Sequence, residues 1–270
     1  MSLNPFEFTV RGIKVQAWEG GRGPSLMLLH GSGPGAASLG TWRHLFEPLM
    51  ERFHVYCMDL IGFGQSGRKP QEPYFDLDLW QEQAQVLLAI VPGDKVRLVG
   101  HSISGLFALR LAAQSPRIAR LMTTATIGAS FPVNEGTRLC WTFPETKEDL
   151  RRTLQALTFD HSGITEEMLD ARMAILHDGV YGGHFSSMFA GDRQRFIEQC
   201  VITPEELAQI RCDVMMVHGL NDGPFPAGPL TLSLARHLPQ ADILLLARCG
   251  HLPALEQPGK LTAAMLSFFA

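Results

Sequence analysis

Residues 98–106 read LVGHSISGL. The apolar run Val96–Val99 enters Gly100, a single hydroxyl follows at Ser102, and small residues stand where a helix should begin. This is close to G-x-S-x-G, the sharp strand-to-helix turn that lifts a serine hydroxyl off the end of a strand. Ser104 occupies the place of the last glycine. Small side chains are needed there because the turn forces strand and helix backbones together, and Ser104 still meets that size limit. Taken alone, the stretch has two readings: a nucleophile on a strained turn, or a serine capping the next helix.

Working outward, eight β-like runs are predicted: FTVRG (8–12), KVQAW (14–18), SLMLLH (25–30), HVYCMDL (54–60), VRLVG (96–100), LMTTAT (121–126), VMMVHG (214–219) and DILLLA (242–247). From the third onward they are nearly continuous apolar runs, as in strands covered on both faces of a parallel sheet. Helical stretches lie between them, including Asp76–Val91 before Pro92-Gly93 and Gly105–Gln114 before Pro116. The alternation predicts an α/β fold: a doubly wound, mostly parallel sheet with functional loops at the strand C-termini. From Gly128 to Ile210 the rhythm breaks, and helical patterns with aromatic and Met residues accumulate. TPEEL (203–207) has capping-box form, with Thr203 as N-cap, Pro204 at N1 and Glu206 at N3. We therefore expect a core domain of 1–128 and 211–270 with a helical cap inserted at 129–210.

Bulk properties narrow the function. The 270 residues are 46% hydrophobic and 19% charged, a globular composition. The net charge is −4 and the basic residues are scattered, which argues against a nucleic-acid partner. The first residues, MSLNPFEFTV, lack a basic and then apolar leader, and no run approaches the roughly 18 apolar residues of a membrane span. No membrane association and a cytoplasmic location are the expectation. Cys57, Cys140, Cys200, Cys212 and Cys249 are odd in number and form no CxxC pair, which suits neither a disulfide framework nor a zinc site.

A serine hydroxyl attacks poorly at neutral pH unless a base takes its proton and a carboxylate orients that base. His251 stands in a turn after the last predicted strand, in LLLARCGHLPALEQP. Asp222 stands in the Gly-Pro-rich loop after the strand before it, in VMMVHGLNDGPFP. The chain order Ser102, Asp222, His251, each just past a strand, favours the nucleophile reading over the capping serine. The glycine loop LLHGSGPGAAS (28–38) offers uncovered amides, so Ser32 and Ile103 are the expected N–H donors to a developing oxyanion. The loop lacks the P-loop and dinucleotide spacings, which disfavours phosphate binding. His44, His54, His218 and His237 are read as surface or core fillers, and Asp59 in MDLIGFGQSG as the cap of its own turn.

Two cap features bear on substrate. A wheel at about 100° per residue through TEEMLDARMAIL (165–176) puts Met168, Leu169, Met173, Ile175 and Leu176 on one arc, with Arg172 inside it. Its guanidinium needs an anion, either a substrate carboxylate or a cap Asp or Glu. Trp141, Phe143, Phe185, Met188 and Phe189 are read as walls for an apolar substrate tail or as cap core.

HGSGPGA (30–36), the Ser102 elbow, DxxGFGxS from Asp59, the Asp222 loop and CGH (249–251) together resemble the α/β-hydrolase superfamily over essentially the whole chain. HGSGPGA and FDHSGITEEMLDARM (159–173) are similar to the meta-cleavage-product hydrolases, which cleave a carbon–carbon bond in vinylogous 1,5-diketones. The resemblance implies an α/β-hydrolase fold with a sheet of about eight strands. It also implies a Ser102–Asp222–His251 triad with Ser32 and Ile103 as oxyanion donors. Arg172 would bind the dienoate carboxylate, with Gly31, Gly33, Thr41, His101 and Leu252 beside the substrate. The implied partner is a small carboxylate with an apolar tail; no metal or organic cofactor is implied, and a homo-oligomer stays open. Three positions depart from the family: His101 where Asn precedes the nucleophile, Leu252 where Trp follows the histidine, and Thr41 where the glycine loop ends in Asn. An esterase or lactonase with the same triad is the rival reading.

Overall fold

The structure, a computed structural model, describes residues 2–270. Eight strands form one sheet in the order β1-β2-β4-β3-β5-β6-β7-β8. They are β1 (Asn4–Val10), β2 (Ile13–Gly21), β3 (Ser25–Leu29), β4 (His54–Met58), β5 (Val96–His101), β6 (Ile118–Thr124), β7 (Asp213–Gly219) and β8 (Ala241–Leu246). β1 and β2 pair antiparallel, β2 meets β4 antiparallel, and from β4 to β8 every pairing is parallel. β3 is buried at all five positions, because helices cover both faces of the parallel part.

Before β4 lie the short helices α1 (Ser38–Thr41) and α2 (Phe46–Met50); α3 (Leu77–Ile90) precedes β5 and α4 (Ile103–Gln114) follows it. Asp76 caps α3 by accepting the Leu79 N–H, and α4 starts two residues earlier than its sequence pattern suggests. Between β6 and β7 run α5 (Glu135–Cys140), α6 (Lys147–Leu157), α7 (Glu166–Leu176), α8 (Tyr181–Met188), α9 (Arg193–Gln199) and α10 (Pro204–Leu207), with no strand among them. α10 begins with the Thr203–Glu206 capping box, and α6 with a second one, Thr146–Asp149. α11 (Ser233–Ala235) lies between β7 and β8, and α12 (Pro253–Glu256) and α13 (Pro258–Phe269) follow β8. Among the described residues no helix is long and apolar enough to cross a membrane.

This topology positions the site. The chain runs from β3 out to its neighbour β4 and then back across to β5 on its other side, so the sheet order reverses there and opens a crevice at the strand C-termini. The loops leaving β3, β5, β7 and β8 carry Ser32, Ser102, Asp222 and His251.

On α7, Leu169 and Leu176 are buried, but Ile175 is 61% exposed. The wheel's apolar arc is thus only half right, because its Met168–Arg172–Ile175 edge borders a cavity rather than packing on protein.

Candidate active site

Ser102 has φ 56° and ψ −123°, a conformation that L-residues adopt only under constraint. The constraint is steric and local. A Cβ on Gly100 would lie 2.3 Å from the Ser104 carbonyl, and one on Gly105 would lie 2.0 Å from Thr126 Oγ1. The strand and helix backbones therefore touch, and two glycines permit it. Ser104 fits in the elbow because its Oγ donates to the His30 carbonyl at 2.5 Å.

On this turn Ser102 Oγ lies 3.0 Å from His251 Nε2, and His251 Nδ1 lies 2.7 Å from Asp222 Oδ2. All three are at most 5% exposed. Burial pushes the Asp222 carboxyl up, but the charge of His251 and hydrogen bonds from His218 and His251 outweigh it and hold the group at about 2. Asp222 Oδ1 also accepts the Phe225 N–H at 2.9 Å. The carboxylate is thus ionised at neutral pH and fixes the His251 tautomer with Nδ1–H, leaving Nε2 to accept a proton from Ser102.

The sequence reading missed two residues of this arrangement. His218, read as a filler, is fully buried, and its Nε2 lies 3.1 Å from Asp222 Oδ2 and 2.8 Å from the Phe225 carbonyl. Both neighbours accept, so Nε2 carries the proton, while Thr231 Oγ1 lies 2.7 Å from Nδ1. The legible sign was its place four residues before Asp222, at the penultimate position of a buried strand. Glu256 is the second. Its carboxylate accepts the N–H groups of Gly250 (3.0 Å) and Leu252 (3.2 Å), on either side of His251, and that of Phe159 (2.6 Å) between α6 and α7. His251 itself donates its N–H to the Leu157 carbonyl at 2.7 Å.

A cavity of about 500 Å³ opens at Ser102 and His251. Gly31, Ser32, Gly33, Thr41, His101, Arg172 and Leu252 all border it. Ser32 is buried, and its Oγ accepts the Trp141 Nε1–H at 3.2 Å. Ile103 opens α4, so its N–H has no acceptor within the helix. Arg172 Nη2 donates to the Pro34 carbonyl at 3.0 Å, while its buried Nε has no partner. Among the described residues no carboxylate pairs with Arg172, so the cap Asp or Glu reading fails.

His101 is held by Thr124: its Nδ1 lies 3.1 Å from both the carbonyl and Oγ1. Burial, and then the nearby His251, push its pKa down to about 3, so the ring is neutral. A carbonyl only accepts, hence Nδ1 carries the hydrogen and Nε2 presents a lone pair.

Trp141, Phe143, Phe185, Met188 and Phe189 are buried, but none borders this cavity. They are cap core. Leu150, Leu154, Leu157, Met168 and Leu255 supply the apolar lining instead, because α6 and the start of α7 are what overhang Ser102. Among the described residues no group of three or more His, Cys, Asp or Glu side chains is arranged to hold a metal ion.

Comparison with known proteins bears on this geometry. The 2-hydroxymuconate semialdehyde hydrolase of Pseudomonas sp. (strain CF600) is 29% identical over 98% of this chain and 93% of its own length. The pimeloyl-[acyl-carrier protein] methyl ester esterase of Nitrosomonas europaea is 31% identical over 88% and 92%. Among solved structures, a meta-cleavage product hydrolase from Pseudomonas fluorescens IP01 superposes with a TM-score of 0.91 at 27% identity, covering 98% of this chain and 97% of that one. Residues 26–265 match the alpha/beta hydrolase family, and the chain belongs to it.

Proposed function

We propose that this chain is a serine hydrolase that cleaves a carbon–carbon bond in 2-hydroxy-6-oxo-dienoate-type products of aromatic ring opening. The observation that carries the reading is the hydrogen-bonded chain Asp222–His251–Ser102, built on a positive-φ serine at a strand end. The likeness to 2-hydroxymuconate semialdehyde hydrolase supports the choice of bond. So does Arg172, a half-buried cation beside the cavity whose buried Nε is unpaired and which, among the described residues, has no acidic partner, an arrangement that suits a substrate carboxylate. Residues 129–210 act as a cap over a core of 1–128 and 211–270, and the protein works in the cytoplasm.

In this mechanism the dienol proton moves to the chain carbon beside the remote ketone. Ser102 Oγ then adds to the ketone carbon while His251 Nε2 takes its proton. The Ser32 and Ile103 N–H groups receive the oxyanion. The C–C bond breaks, its electron pair passes through the enone to the 2-oxygen, and His251 returns the proton to give the hydroxy-dienoate. Water, activated by His251, then releases the acyl group from Ser102 as a carboxylic acid.

A second reading, an esterase with the same triad, is favoured by the GHS form of the elbow and by the likeness to the pimeloyl ester esterase. Both rest on Ser102. A serine-directed organophosphonate is expected to leave one adduct on Ser102 by mass spectrometry; an unmodified protein, or full activity in Ser102→Ala, overturns both. Bleaching of the yellow dienoate chromophore with release of the hydroxy-dienoate and the carboxylic acid supports C–C cleavage. Turnover of p-nitrophenyl esters without dienoate consumption leaves only the esterase.

A further inference from the structure

The space around Ser102 is asymmetric. The cavity extends from Ser102 and His251 along the glycine loop and under α6 and α7, and no residue from 223 to 232 borders it. On the other side stands an aromatic wall. Phe225 lies 4.5 Å from the His251 ring, Trp141 packs on Phe225 at 5.7 Å, and Trp141 stacks on Phe189 at 5.3 Å with planes 8° apart. Phe131 closes the far edge, 6.0 Å from Phe225. These four rings are at most 4% exposed, so they fill their volume rather than line a void.

The wall is braced. Trp141 Nε1–H is bound to Ser32 Oγ, next to the proposed oxyanion site. α5 is tied to the loop after Asp222: Asn134 Nδ2 donates to the Gly223 carbonyl at 2.9 Å, and Thr137 Oγ1 to the Pro224 carbonyl at 2.7 Å. Gly136 packs so closely that an added Cβ would sit 2.8 Å from Pro224 Cγ. A ring in such a packed setting does not swing aside without displacing its neighbours.

A carbonyl carbon attacked by Ser102 carries two substituents. One can occupy the cavity, and the other must face this wall. Under the proposed function the departing dienoate reaches toward Arg172 in the cavity, so the substituent at the wall is the acyl group. We infer that the enzyme is restricted to short acyl groups, of formyl or acetyl size, and that Phe225 sets the limit. The selectivity rests on the reading of Arg172 for its direction, but the filled wall stands without it.

The test is a series of p-nitrophenyl acetate, butyrate and benzoate, together with 6-methyl and 6-phenyl 2-hydroxy-6-oxo-dienoates. For the wild type, kcat/KM is expected to fall about tenfold or more from acetate to benzoate. Phe225→Val and Phe225→Ala are expected to raise the benzoate-to-acetate ratio by about tenfold, a gain that misfolding cannot produce. Equal wild-type rates across the ester series, or an unmoved ratio in both variants with native melting curves, overturn the inference. If neither dienoate is consumed while acetate is strongly preferred, the C–C reading fails and the acyl limit stands. Equal consumption of the 6-phenyl and 6-methyl dienoates fails the acyl limit and leaves C–C cleavage intact.

Discussion

His218 and His251 hydrogen-bond the same oxygen, Asp222 Oδ2, at 3.1 and 2.7 Å. The buried carboxylate therefore has two imidazole donors and one backbone donor, and it stays ionised although burial opposes charge. Its folded pKa, about 2, lies below the ordinary aspartate value near 3.9. The stability it contributes is present above the unfolded value and is lost as pH falls from about 4 toward 2. His218→Phe removes one donor, raises the Asp222 pKa and so moves acid unfolding to higher pH. The same variant is expected to lower kcat/KM by about 10- to 100-fold, since a hydrogen bond to a charged group, about 1.5–3 kcal/mol, no longer holds the carboxylate. Acid titration by circular dichroism and steady-state kinetics check both; an unchanged acid midpoint contradicts the role.

His101 gives a pH effect in a different window. Its folded pKa, about 3, lies below the ordinary histidine value near 6.5, because burial and then His251 disfavour the cation. A depressed histidine contributes stability above its unfolded pKa and loses it as pH falls from about 6.5 toward 3. The slope is at most about 1.4 kcal/mol per pH unit for one group. His101→Gln, which cannot titrate, should therefore close up to about 2 kcal/mol of the wild type's loss between pH 6.5 and 5. Urea unfolding at the two pH values measures this, and parallel losses in both proteins refute it.

The fold was legible because burial on both faces writes strands as unbroken apolar runs, as at Leu26–Leu29, and because turns at Gly100 and Gly250 bracket the chemistry. The three residues of the Asp222–His251–Ser102 chain could be picked by type and chain order. His218 could not, since only a structure shows which ring nitrogen faces which carbonyl. Nor could Glu256, whose carboxylate binds backbone N–H groups that carry no residue type. Trp141 and Phe189 illustrate a third limit: an aromatic residue in a cap reads the same whether it lines a cavity or fills the space behind one.

Arg172 tests whether a site residue is held at the expense of stability. Its Nε is buried without a partner among the described residues, and burial lowers its pKa, so the protein itself compensates the cation poorly. Arg172→Met should raise the melting temperature by about 2 °C, the equivalent of about 1 kcal/mol in a chain of this size. It should also raise the dienoate KM about 10- to 100-fold, the loss of a charged hydrogen bond of about 1.5–3 kcal/mol. Arg172→Lys keeps the charge but not the planar fork, so its KM should fall between the two. A dienoate KM equal to that of the wild type in Arg172→Met removes the residue from carboxylate recognition.

Glu256 links the histidine loop to the cap. One carboxylate accepts N–H groups from Gly250 and Leu252, which flank His251, and from Phe159 beyond the end of α6. The fit is close: a Cβ on Gly250 would sit 2.5 Å from the Leu157 carbonyl, so the loop rests directly on the C-terminus of α6. Removing the carboxylate in Glu256→Ala leaves three backbone donors without their acceptor, and a shift of even 1 Å in His251 would lengthen its contact with Ser102 Oγ. The expected result is a fall in kcat of about 10- to 100-fold with KM changed less, together with faster hydrogen exchange at the Gly250 and Leu252 amides. Glu256→Gln retains one acceptor oxygen and should recover part of the kcat. A contribution to folding alone would lower the melting temperature and leave kcat of the folded fraction untouched, so the split between kcat and melting temperature decides whether Glu256 positions His251.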